Sequence, residues 1–338
     1  MVMNKRGWLG FSCIAVLASL LLGLSFSVSQ EKPAPVNKKE PVIERLQPRS
    51  PAEALKTFSV RDGFTMDLIA SEPLLRDPVS ITYDANGAMY VVEMTAYPHP
   101  DKADEMALGQ VRLLLDDDDD GDYDSSFLFA DKLSTPTSVT CWKGGVLVTA
   151  PPDLWYLKDT TGDHRADVRQ KVITGFGITN AEQLANNLKW GIDNKIYGAS
   201  SHSGGNLQVT GKDFFSAAGD KEIVDKPVSI SRQDFRFDPQ TGKIEPLTWA
   251  TSRWGNSFDD AYNRFVCQNT GPARHVVLPR RYLARNPYLR TSTVYQSLAK
   301  EGGTEPVFRT SPPEPWRLVR AYRRQSLGKP ANPGEINA

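Results

Sequence analysis

The sequence contains few cysteines and histidines, and no excess of charge of either sign. Its 338 residues include three cysteines, none in a CxxC or CxxCH spacing, and four histidines, none in an HExxH or HxH spacing. These absences disfavour a fold built on disulfides, a zinc hydrolase and a c-type haem in this chain. Lysine and arginine total 40, as do aspartate and glutamate, so the formal net charge is zero and no nucleic-acid partner is indicated.

The first 29 residues have the composition of a signal peptide. Two basic residues precede an apolar stretch over residues 8–28, and Ser27-Val28-Ser29 supplies the small residues of a cleavage site. This pattern predicts an exported protein, periplasmic or extracellular. The alternative is an uncleaved anchor that keeps the protein associated with the membrane. Residues 30–49 contain four prolines among lysines and glutamates, which predicts a disordered tether.

The folded domain is expected to begin at residue 50. Ser50-Pro51-Ala52-Glu53 has a serine N-cap, a proline at the first helical position and a glutamate at the third, and this predicts a short helix. The domain is expected to extend to residue 320. Residues 321–338, with prolines and glycines near their end, are expected to form a tail.

One pattern then recurs along the chain: an apolar strand, a polar turn and a second apolar strand. Its copies cover residues 79–92, 138–149, 188–198 and 256–267, and a further turn at residues 238–242 joins two short strands. Recurrence at roughly 50 to 70 residues, without long helices between the copies, predicts an all-β fold of the β-propeller type. Four copies are fewer than a six-bladed ring requires. Either two blades are degenerate or, as we favour, the propeller is incomplete in this chain.

Tryptophan and cysteine side chains within these segments have two interpretations each. Trp142, Trp155, Trp190 and Trp249 are expected to pack the blades together, and a platform for stacking sugars is the alternative. Cys141 and Cys267, the two cysteines beyond the signal peptide, could form a disulfide or remain free thiols.

Two acidic loops predict calcium sites. The first contains Asp116, Asp118, Asp120, Asp122 and Asp124, with Gly121 at the sixth position, as in an oxygen-rich calcium loop. Phe127 occupies the twelfth position, where an EF-hand has glutamate. The second loop contains Asp159, Thr161, Asp163 and Asp167. We favour a structural calcium ion, because a divalent cation relieves the repulsion between the carboxylates; a solvated acidic turn is the alternative.

Several longer motifs resemble a known family. They cover residues 51–58, 63–73, 76–78, 90–94, 97–98 and 275–287. These motifs are similar to those of the membrane-bound dehydrogenase family of planctomycetes and verrucomicrobia, and the resemblance extends over about residues 50–320. The front domain of that family resembles the six-bladed propeller of the soluble quinoprotein glucose/sorbosone dehydrogenases.

The resemblance implies an oxidoreductase that acts on a carbohydrate alcohol with pyrroloquinoline quinone, and a cytochrome as electron acceptor. In the quinoprotein relatives a histidine is the general base, and arginine and calcium polarise the quinone. Gln183 stands where that histidine is expected, and glutamine cannot act as a base near neutral pH. The resemblance implies Arg253 as the quinone contact, with an ion pair to a carboxylate as the alternative. His202, on a glycine-rich loop, is a candidate replacement base, with a backbone hydrogen bond as the alternative.

Two functions are compatible with these observations. The first is an exported, quinoprotein-like dehydrogenase that oxidises a carbohydrate alcohol, and Arg253 and His202 favour it. The second is a non-catalytic, calcium-stabilised propeller that binds carbohydrate or protein, and Gln183 favours it.

Overall fold

The computed structural model describes residues 47–329, except residues 96, 98–108, 216–225, 248–251, 269–270, 287, 290, 292–293 and 300–314. The expected signal peptide, most of the tether, the end of the tail and Trp249 lie outside the described residues. The predicted helix at residue 50 is present as α1 (Pro51–Leu55). Ser50 caps it, and Glu53 completes a capping box with the Ser50 backbone.

The rest of the domain is built from short strands. In chain order these are β1 (Pro78–Tyr83), β2 (Met89–Glu93), β3 (Gly109–Leu115), β4 (Ser125–Leu133), β5 (Ser138–Trp142), β6 (Gly145–Ala150), β7 (Asp153–Lys158), β8 (Val168–Phe176), β9 (Asn186–Trp190), β10 (Ile196–Ala199), β11 (Gly205–Val209), β12 (Val228–Ser229), β13 (Phe235–Phe237), β14 (Ile244–Pro246), β15 (Gly255–Phe258), β16 (Arg264–Gln268), β17 (Gly271–Val276) and β18 (Tyr295–Ser297). Helix α2 (Arg280–Leu283) lies between β17 and β18, and 3-10 helices cover Ala181–Gln183 and Lys212–Phe215.

Four antiparallel sheets arise from these strands, and each begins with one of the predicted strand pairs. The four blades are β1–β4, β5–β8, β9-β10-β13-β14 and β15–β18. The first strand of each blade contacts the first strands of its neighbours: β1 lies against β5, β5 against β9, and β9 against β15. First strands in succession around a common axis are the signature of a β-propeller. The predicted fold class is therefore confirmed, as a propeller whose four described blades do not close a ring.

Turn chemistry explains why the strand pairs form where the sequence predicts them. The hairpin of β5 and β6 pairs Trp142 with Gly145, which leaves a two-residue turn. Both turn residues, Lys143 and Gly144, have positive φ angles, 48° and 70°. This conformation matches the twist of a tight antiparallel hairpin.

An insertion in the third blade enlarges the second. Between β10 and β13 the chain leaves its own sheet, and β11 and β12 extend the second blade beyond β8, so that this sheet has six strands. No pattern in the sequence predicts this crossover.

The core consists of the layers between neighbouring blades. Buried side chains of the second and third blades form the larger cluster, and those of the first and second blades form another. Trp142 and Trp190 pack against the cluster of the second and third blades, with ring centres 5.3 Å apart. Trp190 also donates a hydrogen bond to the Cys141 carbonyl at 3.3 Å. These two tryptophans pack blades together, and Trp155 packs against the other cluster. Cys141 and Cys267 are free thiols.

A last helix, α3 (Pro315–Ser326), belongs to a compact unit separate from the one that holds the blades, Gln47–Phe308. It spans residue 320, where the sequence analysis placed the boundary between domain and tail. Across the described part of the chain, no helix combines the length and apolar character needed to span a bilayer.

Candidate functional site

Alternation of strand direction divides the loops of the blades between two faces. Segments that lead into the first strand of each blade, and loops between second and third strands, lie on what we call the entry face. The opposite, turn face carries the first hairpin turns and the loops between third and fourth strands. Gln183 precedes β9, Arg253 precedes β15 and His202 follows β10, so all three lie on the entry face. Both acidic loops connect third and fourth strands and lie on the turn face.

Backbone hydrogen bonds join the three entry-face loops that carry the predicted residues. The Ser203 N–H donates to the Gln183 carbonyl at 3.3 Å, and the Ser201 N–H donates to the Ser252 carbonyl at 3.1 Å. The Asn186 side chain donates to the Arg253 carbonyl at 2.8 Å. The structure therefore brings together the segments that the sequence analysis singled out, 183, 202 and 253.

A buried carboxylate that the sequence analysis missed holds two of these loops in place. Asp234 is fully buried immediately before β13 and accepts hydrogen bonds from the backbone N–H groups of Ser200, at 3.0 Å, and Ser252, at 3.1 Å. The Ser252 hydroxyl donates to the same carboxylate at 2.8 Å, and so does the guanidinium of Arg264. Only the three-dimensional fold reveals this role, because Asp234 stands in a polar segment with no motif around it.

Arg253 adopts the arrangement that was the alternative in the sequence analysis. Its guanidinium lies 3.6 Å from the Glu182 carboxylate and 4.5 Å from the centre of the Trp254 ring. The Arg253 side chain is mostly buried, and its Nε has no hydrogen-bond partner among the described residues. A stacked arginine between a carboxylate and an aromatic ring is held in one orientation.

A cavity of about 360 Å³ opens beside this group, at the start of the four innermost strands. Its lining includes Glu182, Asn186, Asn187, Tyr97 and Trp254. Trp254 and Tyr97 are about half exposed, at 51% and 47%, so both rings are accessible from solvent. His202 is exposed, and none of the three predicted residues, Gln183, His202 and Arg253, lines this cavity. Glu182 and Trp254 are thus additional candidate binding residues, next in sequence to the two predicted ones.

The described residues do not fit pyrroloquinoline quinone well. This cofactor is a tricarboxylate and requires several cationic partners. Around the cavity, the described residues supply one guanidinium, that of Arg253, which is already paired with Glu182. The Glu182 carboxylate would repel the carboxylates of the cofactor. The donors and rings present suit an uncharged, hydroxyl-bearing ligand better.

The first acidic loop brings three carboxylates together on the turn face. Ligand oxygens of Asp116, Asp118 and Asp120 all lie within 4.8 Å of one another. The nearby Asp120 carboxylate, together with desolvation, raises the pKa of Asp118. Mutual repulsion of this kind is what a divalent cation relieves. Asp122 and Asp124 are not members of this group.

Hydrogen bonds within the loop hold its shape. Asp116 accepts from the Gly121 N–H at 2.9 Å, and Asp124 accepts from the Asp117 N–H at 2.9 Å. The carboxylate of Asp124 is therefore turned toward the start of its own loop. Gly121 has φ 97°, which a residue with a side chain adopts only with strain.

The second acidic loop repeats this framework with fewer carboxylates. Asp159 accepts from the backbone N–H groups of Gly162 and His164, at 2.7 and 2.8 Å, and Asp167 accepts from the Thr160 N–H at 2.6 Å. Side-chain and backbone hydrogen bonds from Thr160 lower the pKa of Asp167. In the described residues, Asp159, Thr161, Asp163 and Asp167 do not form a three-carboxylate group like that of the first loop.

Solved structures with some similarity include the following three. The chain is 14% identical to the holo form of the pyranose dehydrogenase PQQ domain from Coprinopsis cinerea, over 65% of this chain and 52% of that one, with a TM-score of 0.37. It is 10% identical to a catalytically inactive virginiamycin B lyase from Staphylococcus aureus, over 61% and 54%, with a TM-score of 0.33. A calcium structure of a Trichoderma reesei carbohydrate-active enzyme of family AA12 is 14% identical, over 54% and 40%, with a TM-score of 0.33.

The chain thus spans about half the length of these structures, or less. Because all three TM-scores lie below 0.5, function has to be argued from the residues of the chain itself. No curated protein matches the sequence. A family model described as a domain of unknown function (DUF7133) matches residues 50–332, which include all the blades and helix α3. The chain therefore belongs to the DUF7133 family.

Proposed function

We propose that the protein is a non-catalytic, calcium-stabilised propeller that binds a neutral carbohydrate at its entry face. The observation that carries this proposal is that the Glu182 carboxylate and the half-exposed Trp254 ring both line the cavity, and that the Arg253 guanidinium contacts both of them. Sugar rings stack their C–H faces on aromatic rings, and their hydroxyl groups bond to planar charged and amide groups. Trp254 offers such a ring, while Glu182 and Asn187 offer such polar groups.

Neither of the two predicted bases is placed for proton abstraction in the cavity. Gln183 cannot accept a proton near neutral pH. His202 could, but its side chain is exposed and does not line the cavity. The second candidate is nevertheless a dehydrogenase for a carbohydrate alcohol, with a cytochrome as electron acceptor. One observation favours it: the loops with Gln183, His202 and Arg253 are hydrogen-bonded to one another, as the resemblance to the membrane-bound dehydrogenase family implies.

Calcium at the first acidic loop is the cofactor that we propose, with Asp116, Asp118 and Asp120 as its carboxylate ligands. The loop lies on the turn face, away from Arg253, so the ion would stabilise the β3–β4 connection and would not touch the carbohydrate. Export to the periplasm or the cell surface is part of the same proposal, because the first 29 residues have the composition of a signal peptide. Extracellular calcium is abundant enough to fill a loop of modest affinity.

Calorimetric titration of the full chain with neutral tetrasaccharides of glucose, galactose, mannose and xylose tests the binding proposal. We expect saturable binding of at least one of them. Trp254→Ala should weaken it about tenfold, since stacked aromatic side chains dominate such sites. Tyr288→Ala is the control, because Tyr288 is 89% exposed and does not line the cavity. Absence of binding to every tetrasaccharide, or equal affinity in Trp254→Ala, would refute the proposal.

A dye-reduction assay separates the two candidate functions. The protein is incubated with pyrroloquinoline quinone, calcium, a panel of sugars and an artificial electron acceptor. We expect no turnover above a quinone-only background. Sugar-dependent reduction that disappears in His202→Ala would instead establish the dehydrogenase.

A further inference from the structure

A second cavity lies between the third and fourth blades and is separate from the entry-face cavity. Its volume is about 630 Å³, within the range of small-ligand sites. Tyr197 and Arg236 line it from the third blade, Phe258 and Tyr262 from the fourth, and Arg280 and Arg281 from helix α2. We call it the interblade groove. None of these residues lines the entry-face cavity.

One wall of the groove is a group of aromatic rings. Phe258 and Tyr262 are stacked, with ring centres 5.0 Å apart and planes 26° apart, and Tyr197 meets Phe258 edge-on at 5.0 Å. The Tyr197 hydroxyl donates to Asp193 at 3.0 Å and accepts from Arg236 at 2.9 Å, which fixes this ring. A rigid aromatic surface of this kind fits the C–H face of a sugar ring.

Charges on the third-blade side of the groove are balanced internally. Arg236 lies 2.6 Å from Glu245 and 2.8 Å from Asp193, and Lys195 lies 3.2 Å from Glu245. Desolvation opposes ionisation of Glu245, but Arg236 and Lys195 hold its pKa below the ordinary value. Because these two cations and two carboxylates are paired with one another, this side of the groove carries no net charge that would attract an ionic ligand.

The opposite rim carries two arginines of helix α2. Arg280 and Arg281 are exposed, and no described carboxylate forms an ion pair with either of them. Arg280 donates to the Gln233 side chain at 2.9 Å, and Arg281 lies 5.0 Å from the centre of the Tyr282 ring. Arg285 approaches the same ring at 5.7 Å, so Tyr282 holds two guanidinium groups. These residues belong to the motif at residues 275–287, for which the entry face gives no role.

We propose that the interblade groove binds an anionic carbohydrate, whose ring stacks on Tyr262 and whose carboxylate or sulfate is bound by Arg280 and Arg281. Guanidinium groups recognise both anions through paired hydrogen bonds. A single neutral sugar would leave these cations unused, whereas an acidic sugar supplies both an apolar face and a negative charge. This site does not depend on the entry-face proposal, since it shares no residue with it.

The test is calorimetric titration of the full chain with three tetrasaccharides: galacturonate, sulfated galactose and neutral galactose. We expect saturable binding of at least one anionic tetrasaccharide, about tenfold or more tighter than the neutral one, and weaker at higher salt. If only the galacturonate tetrasaccharide binds, the groove recognises carboxylates. If only the sulfated tetrasaccharide binds, it recognises sulfate groups.

Variants locate the binding site. The double variant Arg280→Gln/Arg281→Gln should reduce the affinity for the anionic tetrasaccharide about tenfold, and Tyr262→Ala should reduce it as well. The control is Arg61→Gln, at an exposed arginine outside the groove, which should leave this affinity unchanged. Trp254→Ala should leave it unchanged, which separates this site from the entry face. In the Trp254→Ala variant, equal affinity for the neutral and anionic tetrasaccharides would overturn the proposal. In the unmodified protein, so would no binding of either anion, or full affinity in the double arginine variant.

Discussion

The guanidinium of Arg264 donates a hydrogen bond to the fully buried carboxylate of Asp234. Arg264 lies in β16 of the fourth blade, and Asp234 lies immediately before β13 in the third. The same carboxylate binds the N–H groups of Ser200 and Ser252, in the loops next to His202 and Arg253. One interblade ion pair therefore supports the geometry of the entry face.

Asp234→Asn should destabilise the protein by about 3–5 kcal/mol, because it leaves the nearly buried Arg264 without its charge partner. Urea unfolding monitored by tryptophan fluorescence measures the change. Asp213→Asn, at an exposed position, should alter the free energy of unfolding by no more than about 0.5 kcal/mol. A cost below about 1 kcal/mol for Asp234→Asn would show that the pair contributes little.

A hydroxyl group joins the second and third blades, and its removal should also be costly. The buried Ser138 hydroxyl in β5 accepts from the Leu188 N–H in β9 at 2.7 Å. Ser138→Ala leaves that buried N–H unpaired, which should cost about 1–3 kcal/mol in the free energy of unfolding. Ser257→Ala, on an exposed position of β15, is the matched control and should be close to neutral. Equal stability of both variants would contradict this role for Ser138.

The blades could be predicted from the sequence because the pairing of their first two strands is decided locally. Alternating apolar residues and tight polar turns, such as Lys143-Gly144, specify a hairpin without reference to the rest of the fold. The crossover of β11 and β12 to the second blade, in contrast, depends on which sheet edge is within reach, and no local pattern encodes that. For the same reason the burial of Asp234 could not be anticipated from its polar neighbours.

Within the candidate site, the segments were predictable and the side-chain partners were not. The resemblance pointed to residues 183, 202 and 253, and the fold joins their loops. The pairing of Arg253 with Glu182 depends on how the loops of two neighbouring blades meet. Two of the motifs that carry the resemblance are joined by a hydrogen bond: buried Glu93, at the end of β2, accepts from the Arg76 N–H at 2.6 Å and so links residues 76–78 to 90–94.

Calcium should raise the melting temperature of the protein, and chelation should reverse the effect. A saturated site that exists only in the folded state gives an increase of about 5 °C in a domain of this size. Asp120→Ala should abolish the increase, since it removes one of the three convergent carboxylates. Asp122→Ala is the control: it removes a carboxylate two residues away, outside that group, and this variant should still show the increase in melting temperature with calcium. No calcium response in the unmodified protein would exclude the site.

Without calcium, the stability of the first acidic loop should depend on pH through Asp118. Its pKa in the folded protein is raised above 3.8, chiefly by Asp120, so protonated Asp118 stabilises the folded state at low pH. That contribution is lost as the pH rises through the raised pKa. Melting curves in chelator should therefore show Asp118→Asn gaining stability relative to the unmodified protein as the pH increases. A difference that is constant with pH would contradict the repulsion between these carboxylates.

Strands β11 and β12, which leave the third blade, also affect how open the edge of the second blade is to pairing with other chains. Strand β8 is nine residues long and would otherwise form the outer margin of its sheet, with a row of unpaired backbone groups. Such margins recruit strands from other chains and lead to aggregation. The five residues of β11 pair along β8, and the two-residue β12 then forms the new margin. The end of β8, from Ile173 to Phe176, is thereby covered, which shortens the edge that is open to self-association.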